Sequence, residues 1–395
     1  QLQYRHFFVR IMKCRVLHLQ LLVVGFCLLT SKVQTIHASR TSINQETGEL
    51  MSQEDLLFSI ANESGPIIIT AANWGYRTVL ANWICRLVDL GMHKQYTVVV
   101  LTFDEPTGEL VRRQYDSVVF QIDSPRLFDP KVPLGDNGLP HHISDTLRPS
   151  QYGAPDWNSV TAQKLSGVLS LVKTQRDVIF IDLDIALVRD PVPHILESFD
   201  YDNGPDFVFQ TNVRDPPSCA QQEDSTLRAQ VLPEFAEFKH INSGLYYLKS
   251  NSVTVGWLEH AIATCQKDKV DDQVGFVRAT QFYEHSNRLK LFRNCSKLRG
   301  IPDQRGKQLT SKAEVVLEMV ACVFHECEFP TGWATGRYPA RNVDPAVELN
   351  LRWMQDRATS PYLYHPNFIQ GMKNKVNKIK LKGLWVEDPD VCLPS

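Results

Sequence analysis

One segment of this chain pairs two carboxylates with an apolar run that would hold them in place. Val178-Ile179-Phe180-Ile181 carries no polar side chain, and Asp182-Leu183-Asp184 follows at once. A run like this reads as a strand buried on both faces. In an extended chain residues i and i+2 point to one side, so Asp182 and Asp184 share a face and Leu183 packs the other way. Two carboxylates at the carboxyl end of a parallel strand sit in the usual ligand crevice. Together they suit a hard divalent cation, Mn2+ or a similar ion, held through oxygen. A bound diphosphate adds further oxygens, and the cation then neutralises charge on a departing phosphate. Without such a partner two adjacent buried carboxylates repel. An Asp-x-Asp triplet alone is a common acidic turn. The strand before it and Asp190-Pro191 after it give it weight.

Other segments offer groups of matching chemistry. Thr70-Ala71-Ala72-Asn73-Trp74-Gly75-Tyr76 ends an apolar run. Its small and polar residues suit either a nucleotide-holding loop, with an aromatic against the base, or an ordinary strand-to-helix turn. Asn242-Ser243-Gly244 precedes an aromatic strand. The glycine permits close backbone approach, and the amide and hydroxyl suit sugar hydroxyls. Asp271-Asp272-Gln273 offers carboxylates and an amide, in a charged context that also fits a solvated turn. Near the end stand His365-Pro366-Asn367 and five lysines, Lys373, Lys375, Lys378, Lys380 and Lys382. Such cations grip a diphosphate as point charges or face water; Lys373 is the first candidate for the donor.

The elements that must position these groups read as alternating strands and helices. Residues 67–70 and 96–103 are strand-like, and 77–90 has helical spacing with Gly91 as its stop. Residues 113–121 read as a further strand, 124–156 as a long loop, and 160–173 as a helix before the 177–181 strand. A helix is expected from 192 to 199, strands at 206–210 and 242–248, and helices at 253–265 and 313–321. This pattern predicts a doubly wound, mostly parallel α/β sheet flanked by helices, in a single catalytic domain.

The chain has 395 residues and a net charge of −2, from 42 lysines and arginines against 44 aspartates and glutamates, which gives no sign of a nucleic-acid partner. Basic Arg10, Lys13 and Arg15 precede a 15-residue apolar run over residues 16–30. That length suits a cleaved signal peptide or a short single-pass signal anchor, and either places the remainder in the secretory lumen. Residues 31–61 read as a stem and 62–395 as the catalytic domain. Nine cysteines are present, two of them in or beside the targeting run. The odd remainder leaves at least one thiol unpaired within the chain.

The stretch 157–191, with Trp157, a helix bearing Lys164, the apolar strand, the aspartate pair and Asp190-Pro191, resembles the core of the nucleotide-diphospho-sugar transferases. That family includes plant-type xylosyltransferases and arabinosyltransferases of GT-A fold. The resemblance extends to Asp206-Phe207-Val208-Phe209, to Asn242-Ser243-Gly244-Leu245-Tyr246-Tyr247 and to Asp271-Asp272-Gln273, and covers roughly residues 67–385. It implies a metal-assisted, retaining transfer of a hexosyl or pentosyl unit from a nucleotide-sugar donor to a glycan or glycoprotein hydroxyl, in the Golgi lumen. It implies metal ligation by Asp182, Asp184 and a late histidine, His365. Donor contacts fall to Thr70, Asn73, Tyr76, Lys164, Ser243, Gly244 and Lys373. Asn242, Asp271, Asp272 and Gln273 are expected beside the reacting sugar. Two other classes stay open: a catalytically silent glycan- or nucleotide-binding relative, and a metal-dependent phosphohydrolase. Residues 288–328 match no motif, so the acceptor is not identified.

Overall fold

The computed structural model describes residues 52–123, 155–197, 204–211, 241–292, 318–324, 329, 362–367 and 371–386. The targeting run and the reading of residues 124–154 as a loop lie outside these.

The first described element is helix α1 (Gln53–Asn62). Ser52 caps it, its hydroxyl accepting from the Asp55 N–H at 3.1 Å. Leu56 and Ile60 enter the core, so the packed fold begins inside the segment read as stem, before residue 62. Strand β1 (Ile67–Ala72) follows, then a single 3-10 turn (Trp74–Tyr76), helix α2 (Arg77–Asp89) and a short helix α3 (Met92–Gln95). Gly91, at φ 68°, makes the left-handed step between these helices. Strand β2 is Thr97–Thr102. Next comes helix α4 (Glu105–Gln114), whose first turn Asp104 caps. Residues 113–121, expected as a strand, therefore open on a helix end, and strand β3 spans only Phe120–Asp123.

Helix α5 (Pro155–Val172) leads into strand β4 (Val178–Ile181). Strand β5 (Ala186–Leu187), helix α6 (Val192–Glu197), strand β6 (Phe207–Thr211), strand β7 (Ile241–Leu248), helix α7 (Ser252–Asp268) and helix α8 (Asp272–His285) come next. The described chain closes with strands β8 (Leu289–Phe292), β9 (Met319–Val323) and β10 (Leu363–Tyr364), and helix α9 (Met372–Leu381). Residues 319–321, expected as helix, are strand. β9 is sandwiched between β6 and β8, and a short apolar run buried on both faces has the same signature in either conformation.

Eight strands form one sheet in the order β3-β2-β1-β4-β7-β6-β9-β8, and β10 pairs with β5. All pairings in the large sheet are parallel except those of β7, which runs antiparallel to β4 and β6. Side chains alternate between two cores. Val178 and Phe180 join α1, α5, α7 and α8 on one face. Ile179 and Ile181 join α2, α4 and α6 on the other. Helices on both sides of a mostly parallel sheet are the GT-A-like α/β architecture expected from the sequence.

Candidate active site

The carboxyl end of β4 opens into a cavity of about 200 Å3. The β7 start lies beside it because β7 is antiparallel, and the Asp182 N–H donates to the Gly244 carbonyl at 2.8 Å. Asp182-Leu183-Asp184 forms a turn rather than a strand extension, closed by the Ile185 N–H on the Asp182 carbonyl at 3.1 Å. Both carboxylates nevertheless line the cavity, and Leu183 packs into the core.

Of the donor-side candidates, Asn73, Tyr76, Lys164, Ser243 and Gly244 line the same cavity. So do Asn242, Asp271, Asp272, Gln273 and His365. Two candidates do not. Thr70 is fully buried inside β1, one residue before the cavity wall begins at Ala71 and Ala72. Lys373 is exposed on α9, and Lys375, two residues later, takes the cavity position.

Lys164 stands at the centre of the charge pattern. Its ammonium pairs with Asp272 and lies 3.6 Å from Asp182 Oδ1. It also sits over the Phe180 ring, 4.6 Å from the centroid. Burial disfavours its charge, but the Coulomb pull of Asp182 and Asp272 outweighs it and holds the ammonium above its ordinary range. Asp272 is further oriented through its backbone: its N–H donates to Thr161 Oγ1 at 3.3 Å. Asp271 has a different job. Its Oδ1 caps α8 by accepting from the Val274 N–H at 2.8 Å. The amino end of α8 thus faces the cavity, where its dipole favours negative charge.

The two aspartates of the triplet are in unlike surroundings. Burial pushes the Asp182 carboxyl up to about 7, with Asp184 adding to that and Lys164 opposing it. Burial also pushes Asp184 up, but the Lys375 ammonium paired with it more than reverses this and holds it below the usual carboxylate range. Lys375 pairs directly with Asp184 Oδ2. The other oxygen, Asp184 Oδ1, is buried and has no hydrogen-bond partner among the described residues. It faces His365 Nε2 at 3.5 Å.

The proton of His365 decides what that contact means. Gln210 donates through Nε2 to the Phe329 carbonyl at 2.9 Å. A carbonyl only accepts, so Gln210 Oε1 is the atom facing His365 Nδ1, at 2.7 Å. Nδ1 therefore carries the proton. Burial lowers the affinity of the ring for a second one. Nε2 then presents a lone pair to Asp184 Oδ1, and two lone-pair atoms face each other across a gap that suits a cation. Gly244 keeps the gap open, since a Cβ there would meet His365 Cε1 at 2.5 Å, Asn242 Oδ1 at 2.9 Å and Asp182 Oδ2 at 3.0 Å. Among the described residues no three His, Cys, Asp or Glu side chains are grouped so as to hold a metal ion by themselves. The donor set fits an open site whose coordination a ligand's oxygens would complete. Gln210 is the residue that sequence reasoning left out of this site, and Lys375 stood there only as one of five lysines, behind Lys373.

Beta-arabinofuranosyltransferase RAY1 of Arabidopsis thaliana is 25% identical over 341 residues, 85% of this chain and 50% of its own length. The chain thus spans half the length of that relative. Among solved structures, the galactosyltransferase LgtC in complex with donor and acceptor sugar analogs aligns at 12% identity and a TM-score of 0.35, covering 82% of this chain and 97% of that one. Mouse xyloside xylosyltransferase 1 aligns at 12% identity and a TM-score of 0.32, covering 65% of this chain and 97% of that one. Likenesses this remote carry no weight for the site. The profile of the nucleotide-diphospho-sugar transferases matches residues 93–379, most of the chain, and the chain belongs to that family.

Proposed function

We propose that this chain transfers a sugar from a nucleotide-sugar donor to a glycan or glycoprotein hydroxyl, with a divalent cation held by Asp182, Asp184 and His365. The observation that carries the reading is the buried, unpartnered Asp184 Oδ1 facing His365 Nε2 at 3.5 Å, beneath a glycine whose Cβ would close the gap. When bound, a divalent cation such as Mn2+ supplies Lewis-acid neutralisation of the charge that develops on the leaving nucleoside diphosphate. The remaining work falls to side chains. Lys375 shares its positive charge between Asp184 and a donor phosphate. Asn73 Oδ1, buried without a hydrogen-bond partner on the cavity wall, accepts from a ribose hydroxyl or a base N–H, beside Tyr76. Asn242 and Ser243 bond the sugar hydroxyls. Asp272, held by Lys164, and Gln273 flank the reacting carbon in a retaining transfer, and Asp271 holds the α8 terminus in place.

The Arabidopsis relative is named for arabinofuranosyl transfer, which makes pentose donors the first to test. Cys85 and Cys322 are each disulfide-bonded, which supports the oxidising lumen of the secretory pathway, the Golgi in this reading. Cys265 is a free, buried thiol. No described helix is long and apolar enough to cross a membrane, and residues 16–30, read as a signal or anchor, lie outside the described part.

The test is to incubate the full chain with Mn2+ and a panel of nucleotide sugars, recording donor turnover and thermal shift. Wild type turns over at least one donor, and the Asp182→Ala/Asp184→Ala double variant loses both responses. A double variant that still turns over donor rules out the metal assignment.

A further inference from the structure

We infer that Gln210 is a positioning residue for the metal site: it fixes the tautomer and ring orientation of His365 from 155 residues away in sequence. The inference rests on the metal reading above. Its physical basis is a hydrogen-bond chain with one sense only. The Phe329 carbonyl can only accept, so it takes the Gln210 amide N–H at 2.9 Å. That leaves Oε1 as the atom 2.7 Å from His365 Nδ1. All three residues are at most 3% exposed, so water does not compete for these bonds. With Nδ1 committed as donor, Nε2 is directed at Asp184 Oδ1 as an acceptor. A ligand histidine held this way by its other nitrogen is better oriented and more basic toward a cation.

The strand geometry shows how Gln210 reaches this place. The β6–β7 register breaks between Phe209, opposite Tyr246, and Gln210, opposite Asn242. Between those pairs β7 carries Ser243, Gly244 and Leu245 with no β6 partner. Such an irregularity bends the strand and re-aims side chains. The same break places Gly244 where the His365 ring has room and turns Gln210 toward its far nitrogen. One bulge thus supplies both the space for the ring and its orientation.

Mn2+ affinity of the full chain, read from the free-ion paramagnetic resonance signal, tests this. Gln210→Met removes the acceptor and should weaken binding by about 10- to 100-fold. Gln210→Glu keeps an acceptor for Nδ1–H but loses the donor to the Phe329 carbonyl, so it should lose less affinity than Gln210→Met. Thermal unfolding in EDTA shows that each variant is folded. Independently of any variant, nitrogen spectra of histidine-labelled wild type, assigned with His365→Ala, should show the metal-free ring protonated at Nδ1. A ring protonated at Nε2 overturns the inference. So does wild-type affinity in Gln210→Met, or an equal loss in both Gln210 variants. If wild type binds no Mn2+, the metal reading falls and this inference with it; binding by wild type and Gln210→Met alike overturns this inference alone.

Discussion

Strand β4 ends differently at its two termini. At the amino end Arg176 donates to the carbonyls of Ile60, Ser64 and Gly65 at 2.6, 2.8 and 2.7 Å and to Thr97 Oγ1 at 3.0 Å. Asp177 accepts from the Tyr247 hydroxyl at 2.7 Å and the Ser250 N–H at 2.9 Å. Each of these groups has a partner, and the result ties α1, β1, β2 and β7 together. At the carboxyl end, four residues of apolar strand later, Asp184 Oδ1 and Asn73 Oδ1 are buried without hydrogen-bond partners. A buried polar atom without a partner costs about 1–3 kcal/mol. One end of the strand has its polar groups paired; the other leaves two of them buried without partners at the cavity.

Substitutions at each end separate stability from binding. Arg176→Ala at the closed end should have the largest effect on folding, about 3 kcal/mol, because several buried acceptors lose their donor at once. Thermal unfolding should show a fall of about 4 °C, with an unchanged donor KM in the fraction that folds. At the open end Gly244→Ala forces a methyl against His365, Asn242 and Asp182. Overpacking of this kind costs about 1–3 kcal/mol, and here the loss should appear as Mn2+ affinity weakened about tenfold or more, measured by titration.

A smaller effect separates the two lysines of α9. Lys375→Ala should raise the donor KM about tenfold, about 1.4 kcal/mol, while Lys373→Ala should leave it unchanged; steady-state kinetics decides. The smallest effect reverses the usual sign of a mutation. Folded Asp182 is pushed up to about 7, against about 3.9 for an unfolded carboxyl. Between these values the folded chain binds the extra proton, so Asp182 lowers stability as pH rises through that window. A third of its side chain is open to the cavity, 33%, so water takes back much of that cost. Asp182→Asn should therefore raise the metal-free thermal midpoint by about 1–2 °C at pH 8, about 1 kcal/mol. The gain should shrink as pH falls and vanish below about pH 3, where both states hold the proton.

The open end was the more legible of the two in the sequence. Its groups stand beside recognisable apolar or aromatic runs: Asp182 and Asp184 after four apolar residues, Asn242-Ser243-Gly244 before an aromatic strand, and His365 beside a proline. The misplacements have local causes. Choosing Lys373 over Lys375 is an error of helix phase. Residues two apart lie on nearly opposite faces of a helix, and Lys375 is i−4 to buried Ile379, which would have set the phase. Helix α4 was hidden although Asp104 and a following proline mark its start. Helix α1 likewise had Ser52 and Asp55 in capping positions within a segment judged by its polarity. Gln210 had no local signal at all: its meaning comes from a register break and a contact between distant segments.

Calorimetric titration of Mn2+ into the full chain, with a nucleoside diphosphate present, tests the central claim most directly. Wild type should bind one ion per chain saturably and the Asp182→Ala/Asp184→Ala variant none, with both proteins folded in EDTA. Equal binding by the two proteins, or none by either, would contradict it.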